Sequence, residues 1–86
     1  HKEFASARFY HRIDKYDAAT VYYRSVLNEY PDSRFASEAH LYLAQALAET
    51  NRVTEARKVI DELLERDYGD DIKRRARALL SRVSDG

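Results

Sequence analysis

Cysteine, methionine and tryptophan are all missing from these 86 residues. Without cysteine there is no disulfide framework and no thiolate chemistry; the compartment stays open, because reducing and oxidising spaces both hold cysteine-free domains. Glycine occurs twice and proline once, which leaves room for helices joined by tight turns and little else. Gly69 and Gly86 are too few and too far apart for a phosphate-cradling loop. No apolar run approaches the roughly 20 residues that span a bilayer, and no signal-peptide pattern stands in the chain. Net charge is lacking too: Lys+Arg and Asp+Glu both number 15. That balance removes the global case for a nucleic-acid or anionic-membrane partner. The chain begins at His1 rather than Met, so the expectation is a piece of a longer repeat protein, with any targeting segment elsewhere.

What is present is an internal repeat. Shifted by 37 residues, the apolar skeleton overlays itself: Phe4 on Leu41, Ala7 on Ala44, Tyr10 on Leu47, Tyr16 on Val53 and Ala19 on Ala56. Tyr23 then meets Ile60, Val26 meets Leu63 and Leu27 meets Leu64. A third, partial copy sets Phe35 on Ile72, Ala39 on Ala76, Tyr42 on Leu79 and Leu43 on Leu80. Self-similarity at a period of roughly 20–50 residues marks stacked units, each burying its face on the next.

Within each copy the spacing is helical. Phe4, Ala7 and Tyr10 predict a helix over about 3–12. Asp14-Lys15 is a polar turn, with Asp14 expected to cap the next helix. Tyr16, Ala19, Tyr23, Val26, Leu27 and Tyr30 predict that helix over about 16–30. Pro31 ends it and forces Tyr30 out of the α region. Asp32-Ser33 then offers side-chain oxygens to the orphan N–H groups of a third helix, about 34–50, rich in alanine. Thr50-Asn51-Arg52 is the second tight turn, with Asn51 suited either to the left-handed region or to capping. Val53, Ala56, Val59, Ile60, Leu63 and Leu64 predict a fourth helix over about 53–67, with Arg57/Asp61 and Lys58/Glu62 as i,i+4 ion pairs. Gly69 is expected as a left-handed stop and Asp70-Asp71 as the cap of a last helix, about 72–83. Ser84-Asp85-Gly86 is expected to fray. The fold class is therefore all-α, five helices in one domain over 1–86: repeat one about 3–31, repeat two about 34–67, and a capping helix.

Ala7, Tyr10, Ala19, Tyr23, Val26 and Pro31 stand where tetratricopeptide repeats carry their small, aromatic and proline residues, and the first copy resembles that family. The second copy supplies Ala44, Leu47, Ala56, Ile60 and Leu63, but lacks the closing proline, where Tyr68-Gly69 stands instead. This resemblance implies a TPR-like right-handed α-α superhelix. A narrower likeness runs through Ala7-Arg8-Phe9-Tyr10-His11-Arg12, Lys15-Tyr16-Asp17-Ala18-Ala19 and Val26-Leu27-Asn28-Glu29-Tyr30-Pro31-Asp32-Ser33. These segments are similar to the C-terminal repeats of the BamD family, lipoproteins of the outer-membrane β-barrel assembly machinery. Other periplasmic TPR proteins share the Tyr-Pro-Asp-Ser turn. The BamD resemblance implies the periplasmic face of the outer membrane and a lipid anchor on a missing N-terminal part. It also implies BamA, through its membrane-proximal POTRA domain, as partner beside other lipoproteins of the complex. A basic residue common in that family aligns with Tyr22 here, with Arg24 nearby.

Chemistry finds little to work with. His1, His11 and His40 lie on separate elements without an i,i+4 His or carboxylate partner, so surface histidines are expected rather than a metal site. The serines lack a nearby base, and neither catalysis nor a cofactor is expected. Lys73, Arg74, Arg75 and Arg77 read as the solvated outer face of the capping helix rather than a nucleic-acid patch, diluted by Asp70, Asp71, Glu62 and Glu65. Two protein-binding surfaces remain. Tyr22, Arg24 and Asn28 lie on the second helix as an aromatic and arginine anchor set. The first helices of the pairs would line a concave groove with Phe4, Arg8, His11, Gln45, Arg75 and Arg82, mildly basic and suited to a peptide. Glu38, Leu41, Ala48 and Ala78 fall on the same expected stripe. The leading expectation is a non-enzymatic scaffold of the BAM complex that docks BamA through the first surface during outer-membrane protein insertion. The alternative is a generic TPR adaptor that takes a peptide in the groove.

Overall fold

The structure, a computed structural model, describes residues 1–84. Those residues form five α-helices and no strand: α1 (Lys2–Arg12), α2 (Tyr16–Glu29), α3 (Ala36–Glu49), α4 (Val53–Leu64) and α5 (Asp70–Ser84). The all-α, TPR-like expectation holds in element number and order. Boundaries move by a few residues. α4 ends at Leu64 rather than near 67, and α5 starts at Asp70, so both aspartates lie in its first turn instead of preceding it. Of the segment expected to fray, residues 85–86 lie outside the described residues.

Each helix packs on the next in sequence, and α5 also reaches back to α3. Ala7, Ala19, Ala44 and Ala56, the alanines that repeat in register, are all fully buried. With only a methyl group at these points, the helices of each hairpin approach closely. Around them one core runs through every helix, from Tyr23 and Val26 of α2 through Leu43 and Leu47 of α3 to Ile60, Leu63, Ala76 and Leu79. The core claims Leu41, which is fully buried and so unavailable to the groove.

The two turns inside the hairpins are copies of one another. Asp14 and Asn51 both take φ +61°. The next amide reaches back over the turn in each, Lys15 to the Tyr10 carbonyl and Arg52 to the Leu47 carbonyl, both at 2.9 Å. The left-handed expectation at Asn51 is met, whereas the cap expected at Asp14 is not. Asp14 is itself the left-handed residue, and its carboxylate accepts from the Tyr16 hydroxyl at 2.9 Å. Lys15 and Arg52 occupy the N-cap positions, and neither side chain caps the helix it precedes. Gly69 also has positive φ, +94°, at the entry to α5. Between the hairpins, Tyr30 leaves the helical region at φ −135° before Pro31. Ser33 Oγ then accepts from the Phe35 amide at 3.2 Å, one residue ahead of α3. The ion pairs involving α2 and α4 cross between helices rather than running along α4: Arg24 meets Glu55 at 3.2 Å and Arg52 meets Asp17 at 2.6 Å.

Candidate functional site

α1, α3 and α5 present one face and α2 and α4 the other. On the first face a notch of about 230 Å³ is lined by His11, Tyr16, Gln45, Glu49, Leu79 and Arg82. Three of the expected groove residues, His11, Gln45 and Arg82, meet here from three different helices. Arg8 joins them through a network. Its guanidinium lies 3.9 Å from the centre of the Tyr42 ring and donates to the Tyr23 hydroxyl at 3.2 Å. That hydroxyl, buried with the rest of Tyr23, lies 2.8 Å from His11 Nδ1. A phenol accepting from Arg8 still has its own proton to give, so the network assigns Tyr23 as donor to Nδ1. Neutral His11 then carries its hydrogen on Nε2. Burial, with the Arg8 charge behind it, holds His11 below its ordinary 6.5, against the opposing pull of Glu49 and Asp14. The neutral tautomer therefore prevails near neutral pH.

Other expected groove residues are placed differently. Phe4 is half-buried and stacks on Phe35 with centroids 5.0 Å apart, so it closes the core edge instead of presenting a ring. Arg75 lies one turn before Leu79 on α5 and is tied to Asp71 at 3.7 Å. Glu49 and Tyr16 enter the lining unforeseen. Glu49 makes the notch mixed in charge where a basic one was expected.

On the second face, a groove of about 290 Å³ runs between α2 and α4 past Arg24, Asn28, His40, Lys58, Glu62 and Arg66. Arg24 and Asn28 line it, one turn apart. Tyr22 does not, because it lies two residues from Arg24 and points about 200° away around the helix. Its ring stacks on Tyr10 at 5.6 Å and 9°, on the opposite side of α2. The trio of Tyr22, Arg24 and Asn28 thus forms no single patch. His40 is only 4% exposed, contrary to the surface position expected, and its Nδ1 lies 3.0 Å from the Tyr68 hydroxyl. Burial and the Arg66 charge lower its pKa, while Glu62 raises it. A histidine at helical spacing with the apolar residues of α3, one turn after Ala36 and one turn before Leu43 and Ala44, was the available signal.

A tetratricopeptide repeat family profile matches residues 14–83. The chain belongs to the tetratricopeptide repeat family. Among curated proteins and among solved structures, no match accompanies it. TPR repeats generally mediate protein–protein interaction, so a protein partner is the functional statement the family carries. The profile describes the repeat and does not distinguish BamD from other TPR proteins. Among the described residues, no helix of this TPR stack is long and apolar enough to cross a membrane.

Proposed function

We propose that this TPR stack is a non-enzymatic scaffold that holds an extended segment of a protein partner along the face of α1, α3 and α5. The convergence of His11, Gln45 and Arg82 on one notch, with Arg8 fixed beside it on Tyr42, carries this reading. Guanidinium groups, a carboxamide and the Nε2–H of His11 are donors suited to peptide carbonyls and carboxylates, and Glu49 accepts a peptide N–H or a cation. Because the rings behind them are already packed, little side-chain entropy is lost on binding. Panning the full chain against a displayed random-peptide library supplies the ligand for the test. Gln45→Ala with Arg82→Ala is expected to weaken the selected peptide at least about tenfold, or ~1.4 kcal/mol. Arg24→Ala with Asn28→Ala is expected to leave it unchanged. The reverse pattern defeats the proposal.

A second reading follows the BamD-like motif run. In it the stack docks the membrane-proximal POTRA domain of BamA at the periplasmic face of the outer membrane, the anchor lying on another part of a longer lipoprotein. The open α2–α4 groove, where Arg24 and Asn28 are exposed, favours it. Saturable binding of a cognate POTRA domain that is lost in Arg24→Ala with Asn28→Ala supports this docking. Failure of the folded chain to bind that domain removes it.

A further inference from the structure

α5 packs on α4 and more sparsely on α3, and it is reached through residues 65–69, which belong to no helix. Within that connection Tyr68 folds back, half-buried, against His40 of α3. Its hydroxyl lies 3.0 Å from His40 Nδ1, and the two rings meet edge-on at 5.7 Å. A polar contact spanning 28 residues of chain thereby pins the connector to the middle helix. We propose that the His40–Tyr68 pair is a pH-operated latch: protonation of His40 frees Tyr68 and loosens α5, together with the Leu79 and Arg82 wall of the notch.

A neutral imidazole and a phenol satisfy one another with either ring tautomer. An imidazolium still gives its Nδ1–H to the Tyr68 oxygen, so release comes from the charge: His40 is 4% exposed, and a charge without sufficient partners is costly in so dry a site. The charged groups that act on His40 are Arg66, which opposes a proton there, and Glu62, which supports one. Arg24, Glu55 and Lys58 line the same groove, and Glu55 is engaged by Arg24 at 3.2 Å. Burial dominates and holds His40 below its ordinary 6.5. A histidine depressed in the closed state binds a proton more readily once hydrated, so acid favours the open state. The window starts near 6.5 and runs down to the closed-state value. Opening needs no global unfolding; detachment of the Tyr68 connector hydrates the ring and releases the chain that leads into α5. The effect on ligand binding rests on the notch being the binding site, but the latch itself does not.

Amide hydrogen exchange on the full chain tests the latch, with protection factors compared between α5 and α2 at about pH 7.5 and about pH 5, on either side of the ordinary histidine range. The His40 ring proton shifts are followed in the same samples. α5 protection is expected to fall more than α2 protection, by about tenfold for each unit of His40 depression, and with a midpoint that tracks the His40 ring. In His40→Phe the additional α5 loss disappears. In Tyr68→Phe α5 is already less protected at the higher pH. Equal losses in α2 and α5, or an α5 loss that persists in His40→Phe, overturn the latch. Should His40→Phe not fold, the wild-type comparison and Tyr68→Phe decide between the same two outcomes. A notch that binds no peptide while α5 responds as described defeats the binding-face proposal alone.

Discussion

The first hairpin, α1–α2, and the second, α3–α4, share a backbone turn to within a few degrees and tenths of an ångström, yet they are filled differently. Register places Tyr23 where the second hairpin has Ile60, and both are fully buried. Ile60 needs only apolar neighbours. Tyr23 also buries a hydroxyl, and Arg8 and His11 must satisfy it. Around it Phe4, Phe35 and Tyr42 form an aromatic cluster with centroids 5.0–6.3 Å apart. The Tyr23 hydroxyl thus ties the first hairpin's core to the residues of the notch, a link that Ile60, with no polar side-chain atom, does not make. The same repeat position can serve packing alone or packing together with a hydrogen-bond network, depending on whether it carries a polar atom.

The sharpest way to break that contrast is truncation. Tyr23→Ala is expected to cost about 3–5 kcal/mol, typical of a buried aromatic, and urea denaturation should show it. The same variant should also weaken notch binding, because Arg8 and His11 lose their anchor. Ile60→Ala should cost about 2–5 kcal/mol and leave binding by the remaining folded protein unaltered.

Removal of the hydroxyl alone is gentler. Tyr23→Phe leaves His11 and Arg8 without their shared partner and should cost about 1–3 kcal/mol. Tyr68→Phe, where the phenol is half-buried, should cost about 0.5–1.5 kcal/mol. A Tyr23→Phe protein as stable as the wild type would show that the hydroxyl network does not distinguish the hairpins.

Acid probes both halves together. His11 and His40 are each depressed in the folded state, chiefly by burial. The unfolded chain therefore binds protons first as pH falls below about 6.5, and stability is lost from there down to the folded values, each unit of depression being worth ~1.4 kcal/mol. Denaturation midpoints measured across that range should decline. His11→Phe and His40→Phe should each remove one share of the decline, and an unchanged slope in both would contradict the buried, neutral assignment.

The smallest expected effect lies in the duplicated turns. At φ +61° asparagine and aspartate are tolerated, and glycine costs more entropy on folding. Asn51→Gly should therefore change stability by no more than about 0.5 kcal/mol. Asp14→Gly should be the less stable of the two, since it also removes the acceptor of the Tyr16 hydroxyl. Thermal melts of the two variants give this difference directly.

Much of the fold could be read along the chain. A 3.6-residue period shows which side chains share a helix face, and punctuation by Pro31, Asn51 and Gly69 sets where helices stop. The five helices and the buried alanines followed from that. So did the joint placement of His11, Gln45 and Arg82: Gln45 and Arg82 are equivalent positions of successive first helices, and His11 lies one turn beyond Arg8, their counterpart on α1. The separation of Tyr22 from Arg24 was also readable, being a matter of helical angle alone.

What one dimension leaves open is which neighbour a face meets. The cap expected at Asp14 failed because the turn needed a left-handed residue there more than it needed a side-chain acceptor. His40 seemed an ordinary surface histidine until the connector brought Tyr68 back across 28 residues. Glu49, by contrast, was readable: it lies one turn beyond Gln45 on α3 and shares its face. Periodicity, turn chemistry and helix length are local properties, set by sterics and hydrogen bonding within a few residues, so the amino-acid order settles them. Burial of the histidines, and with it their charge state, depends on groups far apart in the chain that meet only when the helices pack. The charge balance of the notch depends on that packing too, and both belong to the tertiary structure.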